Sequence, residues 1–311
     1  MLKKIFSLFK ISLFNSWKHS QWWILGVLAV ILSGFNNEIN LLISNWQKIN
    51  HFVTNLSLIK INQLINLSQI NLSNFFHAKF IVYLFSIFSL LIILFLLWIS
   101  FSARGGLIFS INQYAKTKFI PSFKKSFTVG RKFFWSILWI SLLGKIIIYG
   151  GLLIISLPLI HLYLNSAHLF WGIILLIFLL ILLIPIALII SFMVRFAICY
   201  LILQKKKVHQ SWVLSWKLFH QHWLIITFTA ILLFILGLLA SLIIISFILI
   251  VNYPLTVLFK LSYSFSFVSP WLFLIIGTLV NIIFLLLFVG LFSAFQYNVW
   301  VNLFNQLIDN N

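Results

Sequence analysis

"QSWVLSWKLFHQHWLIITF" (residues 210–228) sets three tryptophans, a lysine and two histidines in front of a long apolar run. A tryptophan ring is apolar while its N–H needs a partner, so it settles where hydrocarbon meets water. The run that follows, to about position 251, is long enough to cross about 30 Å of hydrocarbon as a helix. The stretch therefore reads as the anchored entrance to a membrane span.

Composition extends that reading to the whole chain. Of 311 residues, 63% are hydrophobic and 7% charged, too little polar surface to cover a water-soluble globule. The apolar runs, mostly Leu, Ile and Phe, lack the alternation of a barrel strand, so the spans are expected to be helices. The predicted class is an all-α integral membrane protein with about six transmembrane helices, at roughly 21–35, 78–102, 133–160, 169–194, 223–251 and 271–304. The first is the shortest and stops at Asn36, Asn37 and Glu38.

The formal net charge of +19 would suggest nucleic acid in a soluble protein, but in a membrane it reports topology. Sixteen of the 21 basic residues precede the first span or lie between spans two and three and between spans four and five, Arg104 and Arg195 among them. Lys48, Lys60, Lys79 and Lys260 fall on the opposite side, and Lys145 lies within a span. The positive-inside rule then puts both termini in the cytoplasm and the protein in the cell (inner) membrane. The expected partners are membrane lipids, with anionic headgroups on the cytoplasmic side; no nucleic acid is expected, and a protein partner or oligomer is left open. In the opening "MLKKIFSLFKISLFNSWKHSQWW" (1–23), Lys10 interrupts the first apolar stretch and no small-residue cleavage site follows, so the segment is expected to be retained.

The tryptophan-rich entrance has two relatives in the chain. "FNSWKHSQWWIL" (14–25), "KKSFTVGRKFFW" (124–135) and "VLSWKLFHQHWL" (213–224) align Ser16, Ser126 and Ser215, each followed by an aromatic: Trp17, Phe127 and Trp216. Seven residues further on stand Ile24, Phe134 and Trp223, at the start of a span. Each copy reads as a short amphipathic elbow helix in the cytoplasmic interface that turns into a transmembrane hairpin, with Trp17, Phe127, Trp216 and Trp223 as interfacial anchors. Three parallel hairpins follow within one membrane domain, 1–311. Repeat 1 covers about 1–115, with an outer amphipathic insertion at 36–77; repeat 2 covers about 116–205, and repeat 3 about 206–311. Mitochondrial carriers share a threefold plan, but their motif needs an acidic residue after a proline, and the only acids here are Glu38 and Asp309.

"RFAICYLILQKKKVHQSWVLSWKLFHQHWLIITFTAILLFILGLL" (195–239) resembles the hallmark segment of bacterial multi-span membrane proteins related to the membrane domain of glycerophosphoryl diester phosphodiesterases. There an aromatic-rich span end and a short polar loop lead into a Ser-Trp-basic elbow and another span. "ARGGLIFSINQYAKTKFIPSFKKSFTVGRKFFWSIL" (103–138) is similar to the preceding copy. The loop that often carries an acidic residue in that family holds Lys205, Lys206 and Lys207 here. After the spans are counted no soluble domain remains for a phosphodiesterase barrel, so the resemblance implies membrane architecture without hydrolase activity.

Chemistry is sparse. General acid–base pairs, hard-metal sites and glycosidase dyads need converging carboxylates, and the predicted topology puts Glu38 and Asp309 on opposite sides of the membrane. Nucleotide-binding and nucleophile motifs are absent; the "ARGG" at 103–106 reads as a loop-like or close-packing glycine pair. His220 and His222 point to different helix faces, and His161 and His168 flank a wet outer turn. Cys199 stands alone, so no intrachain disulfide can form. No cofactor, metal or enzymatic activity is expected.

Lys145 is the sharpest oddity, about 18 Å along span three at 1.5 Å per residue. Tyr149 lies one turn further on, and Asn281 in span six sits at comparable depth. Together they form a candidate intramembrane polar site for an anionic or zwitterionic substrate; the alternative is a lysine that snorkels to the interface. Two function classes follow: a non-enzymatic membrane protein organising lipid or a protein partner through its elbows, which is preferred, or a permease-like component with a polar site around Lys145.

Overall fold

Eight helices, broken at a few well-defined residues, make up the described chain. The computed structural model describes residues 2–30, 72–164, 169–265 and 270–309. The helices are α1 (Leu2–Lys18), α2 (Ser20–Val30), α3 (Leu72–Thr117), α4 (Phe123–Lys132), α5 (Phe134–Leu164), α6 (Leu169–Leu203), α7 (Val208–Phe265) and α8 (Pro270–Asp309). Among the described residues five stretches are long and apolar enough to cross a membrane: Ser86–Thr117, Phe134–Ile154, Leu183–Leu203, Val208–Phe259 and Ile275–Asp309. The protein is thus all-helical and membrane-embedded. The expected first span corresponds to α2, a shorter apolar helix; positions 31–35 of that span, 36–71 of the outer insertion and 165–168 of the outer turn lie outside the described residues.

The breaks have local causes. α3 ends where Lys118 takes a left-handed conformation (φ 57°), and α6 ends before Lys205 does the same (φ 53°). A side chain there costs about 1 kcal/mol relative to glycine, and no helix continues through it. α4 starts at Ser122, whose hydroxyl accepts from the Lys125 amide at 3.4 Å, and stops at Phe133, whose amide donates to the Gly130 carbonyl at 3.1 Å. α7 breaks at the matching position, His222 (φ −128°, ψ 26°). α1 and α2 part at His19, about one turn earlier than the alignment of the three copies implies.

Contacts divide the chain into residues 28–100 and the remainder. Within the first unit, the Ser100 hydroxyl donates to the Ala29 carbonyl at 3.0 Å and Phe95 stacks on Trp98 at 6.0 Å. Leu84, Ile87, Phe88, Leu91 and Leu94 are exposed there, as a lipid-facing helix surface would be.

In the second unit α5 packs on α6, α6 on α7, α7 on α8, and α8 on α1. Half of the α6 span is buried against 6% of the α7 span, so α6 is enclosed by its neighbours while α7 turns most of its surface outward. Lipid gives helices no hydrophobic reason to associate, so close approach must come from small residues and interhelical hydrogen bonds. Two crossings do this. A Cβ on Gly26 of α2 would strike the Gly290 carbonyl of α8, and one on Gly290 would lie 2.6 Å from the Trp23 carbonyl. Gly130 of α4 sits against Ser102 and Gly106 of α3, and a Cβ on Gly106 would lie 2.7 Å from the Ser126 carbonyl. The glycines at 105 and 106 are therefore helical and close-packed, which corrects the loop-like half of the expectation. Arg104 and Arg195 lie inside α3 and α6 rather than in loops between spans, because both helices continue for several turns beyond the expected span ends.

Alanine at position 130 has no room against backbone, whereas a methyl group added at Gly150 would meet nothing within 4 Å. Gly130→Ala should lower the melting temperature of purified protein by many degrees or abolish its accumulation in the membrane. Gly150→Ala should be neutral or stabilising by up to about 1 kcal/mol through helix propensity. Thermal melting of both variants in one detergent checks this.

Candidate functional site

The polar residues gather where α1 meets the ends of α3, α6 and α8. α1 buries Ile5, Leu8, Phe9, Ser12 and Ser16, a seam at helical spacing that fits α8. The Asn298 amide donates to the Ser12 carbonyl at 3.1 Å and to the Ser16 hydroxyl at 3.2 Å. Asn302 donates to the Ser12 hydroxyl at 3.2 Å and to Asn298 Oδ1 at 2.7 Å, and Asn305 donates to Asn112 Oδ1 of α3 at 3.0 Å. Asn298, Asn302 and Asn305 recur at i, i+4 and i+7, so one stripe of α8 carries the whole ladder. That spacing is visible in the sequence, but without the fold nothing distinguishes it from the other asparagines of an Asn-rich chain.

Beside the ladder lies a cavity of about 400 Å³, lined by Asn15, Asn112, Lys116, Gln204, Asn305 and Asp309 among others. Amides both donate and accept, so the lining suits a polar or zwitterionic group. It holds one carboxylate, Asp309, with Lys116 and Lys118 also in its wall. No group of three His, Cys, Asp or Glu side chains able to hold a metal occurs among the described residues.

The expected intramembrane residues do not converge on this cavity. Lys145 is exposed on α5, as is Tyr149 one turn on. Asn281 donates to Asn252 Oδ1 of α7 at 3.1 Å, a bond across the α7–α8 pair. The residues expected as interfacial anchors differ in exposure: Trp17, Trp216 and Trp223 are at least half exposed, and Phe127 is half-buried and stacks on Phe123 at 6.0 Å. Trp17 also meets Trp23 edge-on, and Trp23 Nε1 donates to the Ser16 carbonyl at 2.6 Å, tying the end of α1 to the start of α2.

Two arginines outside the expected site stand out. The Arg104 guanidinium lies 5.1 Å from the Phe101 ring and that of Arg195 5.1 Å from the Trp300 ring. In the sequence each reads as a loop charge, and only the helix ends show otherwise.

His19 occupies the corner between α1 and α2, its ring 5.0 Å from Trp22 and 4.8 Å from Tyr114. Burial, and secondarily the Lys18 charge, hold its imidazole below the ordinary value of 6.5. Nε2 is buried and makes no hydrogen bond. The folded protein thus resists a proton that the unfolded chain accepts, so this contribution to stability is complete above pH 6.5 and is lost as pH falls below it. His19→Phe keeps the aromatic contacts and should flatten the acid side of a plot of melting temperature against pH, while leaving the neutral side unchanged.

Compared with known proteins, the chain matches no family model, no curated protein and no solved structure.

Proposed function

We propose that this is a non-enzymatic multi-pass protein of the cell membrane that organises lipid at the cytoplasmic face through three interfacial helices, each the entrance to a hairpin of two spans. The three are α1, α4 and the part of α7 before His222. Kinship with the membrane domain of glycerophosphoryl diester phosphodiesterases is part of the same proposal, resting on the two segments at 103–138 and 195–239.

One observation carries the reading: the three helices share an order of faces. At about 100° per residue, each presents a buried seam, then an aromatic edge, then a polar edge, in the same rotational sense. In α1 the seam is Ser12 and Ser16, the aromatic edge Phe6 and Trp17, and the polar edge Lys3, Lys10 and Lys18. In α4 these are Ser126 and Gly130, then Phe123 and Phe127, then Lys124, Lys125 and Arg131. In α7 they are Ser211, Ser215 and Leu218, then Trp212 and Trp216, then Lys217 and Gln221. A soluble helix needs one apolar face, toward its own core; a second apolar edge beside a basic one suits a helix held between protein, acyl chains and headgroups. Each seam also carries a pair of small residues, Ser12 and Ser16, Ser126 and Gly130, or Ser211 and Ser215, at which the helix can lie close against a long neighbour: α1 against α8, α4 against α3 and α7 against α6. Polybasic surfaces attract anionic headgroups by about 1 kcal/mol per residue near the surface.

The topology is tested by replacing Cys199 and introducing cysteine at Lys10, Lys125 or Lys206, which should be shielded from an impermeant thiol reagent in intact cells, and at Asn50 or Ser262, which should react. Labelling at 125 with none at 50 rejects the orientation. The function is tested with spin-labelled lipids in reconstituted vesicles. The protein should slow phosphatidylglycerol more than phosphatidylcholine, and Trp17→Ala with Trp216→Ala should shrink the slowed fraction without lowering the melting temperature. Solute flux that depends on Lys145, with no lipid preference, would favour a permease instead.

A further inference from the structure

The cavity beside the asparagine ladder has walls of opposite charge. α3 and α8 meet where Asn305 Nδ2 donates to Asn112 Oδ1 at 3.0 Å. One helical turn beyond that bond stand Lys116 on α3 and Asp309 on α8, and both line the cavity. Lys118, the left-handed residue at which α3 ends, lines it too, its ammonium 5.7 Å from the Tyr114 ring.

The helix dipoles sharpen the separation. Cations at the C-terminal end of a helix offset its negative pole, and Lys116 and Lys118 stand so on α3. Asp309 does the reverse: it closes α8, whose last turn holds no basic residue, and adds a carboxylate to an end that is already negative. α8 gains no stability from it, yet it is one of only two acidic residues in the chain. All three charged groups are exposed at the mouth, where water and salt screen them, so each alters binding only a few-fold.

Between the poles the lining is amide. The Asn112–Asn305 bond uses the acceptor of one side chain and the donor of the other; Asn112 Nδ2 and Asn305 Oδ1 are the groups it does not use. Asn15 of α1 and Gln204 at the end of α6 add two more amides, while Leu8 and Ile11 of α1 give an apolar side. The bonds from Asn298 and Asn302 to Ser12 hold α1 against α8 there, so the two poles lie at the level of α1. The volume of about 400 Å³ falls within the roughly 300–1,000 Å³ of small-molecule sites.

A ligand that meets both poles carries an anion and a cation. A quaternary ammonium has no N–H and is held by a cage of aromatic faces. Here the rings in the lining are already engaged, Tyr114 beside Lys118 and Phe304 against Phe196 and Tyr200. A carboxylate and amide carbonyls accept instead from a primary ammonium, and a pair of lysines suits the several acceptor oxygens of a phosphate.

We propose that this cavity holds a phosphoethanolamine group, its phosphate toward Lys116 and Lys118 and its primary ammonium toward Asp309. The group arrives either as the headgroup of phosphatidylethanolamine, with the rest of the lipid beside Leu8 and Ile11, or as the free ester. The site goes beyond the attraction of the interfacial helices for anionic lipid and does not depend on it.

Native mass spectrometry of the full chain tests it with dioleoylphosphatidylethanolamine, dioleoylphosphatidylcholine, dioleoylphosphatidylglycerol and free phosphoethanolamine, singly and in competition. Wild-type protein should keep one phosphatidylethanolamine about tenfold more tightly than phosphatidylcholine, and an excess of the free ester should displace it. Asp309→Asn should weaken phosphatidylethanolamine about fivefold while leaving phosphatidylglycerol unchanged, and Asp309→Glu should restore it. Because Asp309→Asn removes an acid from a helix C-terminus, the variant should melt no earlier than wild type. Lys116→Gln with Lys118→Gln should weaken the same lipid, whereas Lys206→Gln with Lys207→Gln removes equal charge outside the cavity and should not. Ala115→Leu narrows the cavity without touching a charge and should also weaken it. A lipid held much more tightly than the free ester makes this a headgroup site and equal binding makes it a solute site; both support the assigned group. The site is wrong if Asp309→Asn keeps phosphatidylethanolamine as tightly as the Lys206→Gln/Lys207→Gln protein, if wild type binds phosphatidylcholine equally well, or if no excess of the free ester displaces the lipid. The slowing of phosphatidylglycerol in vesicles is read separately, so either proposal can fail while the other stands.

Discussion

Gly130 rests on the backbone of α3 with no space for a methyl group, and the placement of α4 and the start of α5 follow from that approach. It sets α4 at the level of Arg104, starts α5 directly afterwards at Phe134, and so fixes where Lys145 stands relative to α6. A hydrocarbon surrounding would not enforce such a contact, since lipid tails solvate leucine as well as another helix does. Glycine lowers the dispersion distance between backbones, and the Ser–Asn ladder of α1 and α8 supplies direction. Close approach and amide bonding therefore do here what burial of apolar surface does in water.

Much of the plan was legible from residue types alone. Apolar length marks the long helices, because hydrocarbon thickness imposes it. Ser16, Ser126 and Ser215, which align in the proposed repeat, are all buried, as small residues are where a short helix meets a long one. The helix ends were less legible. Lys118 and Lys205 stop α3 and α6 in left-handed conformations that favour glycine, so nothing in their identity announces a stop, and both helices run on past the expected span boundaries. The first span falls partly on residues 31–35, outside the described chain.

The site was legible as an oddity and not as a constellation. Lys145 stands out in the sequence because an ammonium is rare at its depth, but depth alone points to companions along the membrane midplane, Tyr149 and Asn281. Asn281 pairs with Asn252 instead. Arg104 and Arg195 read as topology signals because a hydropathy window ends a span at the first charge; the helix itself has no reason to end there. Nor can a linear reading place Trp300 beneath Arg195, since the two are brought together only by the packing of α6 and α8.

The outward surface of α7 has a consequence for inheritance. With 6% of its span buried, α7 leaves Phe234, Leu238, Leu242 and Leu249 among its exposed side chains, and exchange among leucine, isoleucine, valine and phenylalanine at such positions removes no buried contact. Such positions drift freely over generations, and AT-rich coding alone can push them toward isoleucine, phenylalanine and asparagine. Descent would be recorded instead in a thin scatter of slowly changing letters: the serines of the seams, the glycines at the two crossings and the asparagines of α8. Distant cousins of this chain would share those few positions in order while differing almost everywhere between them.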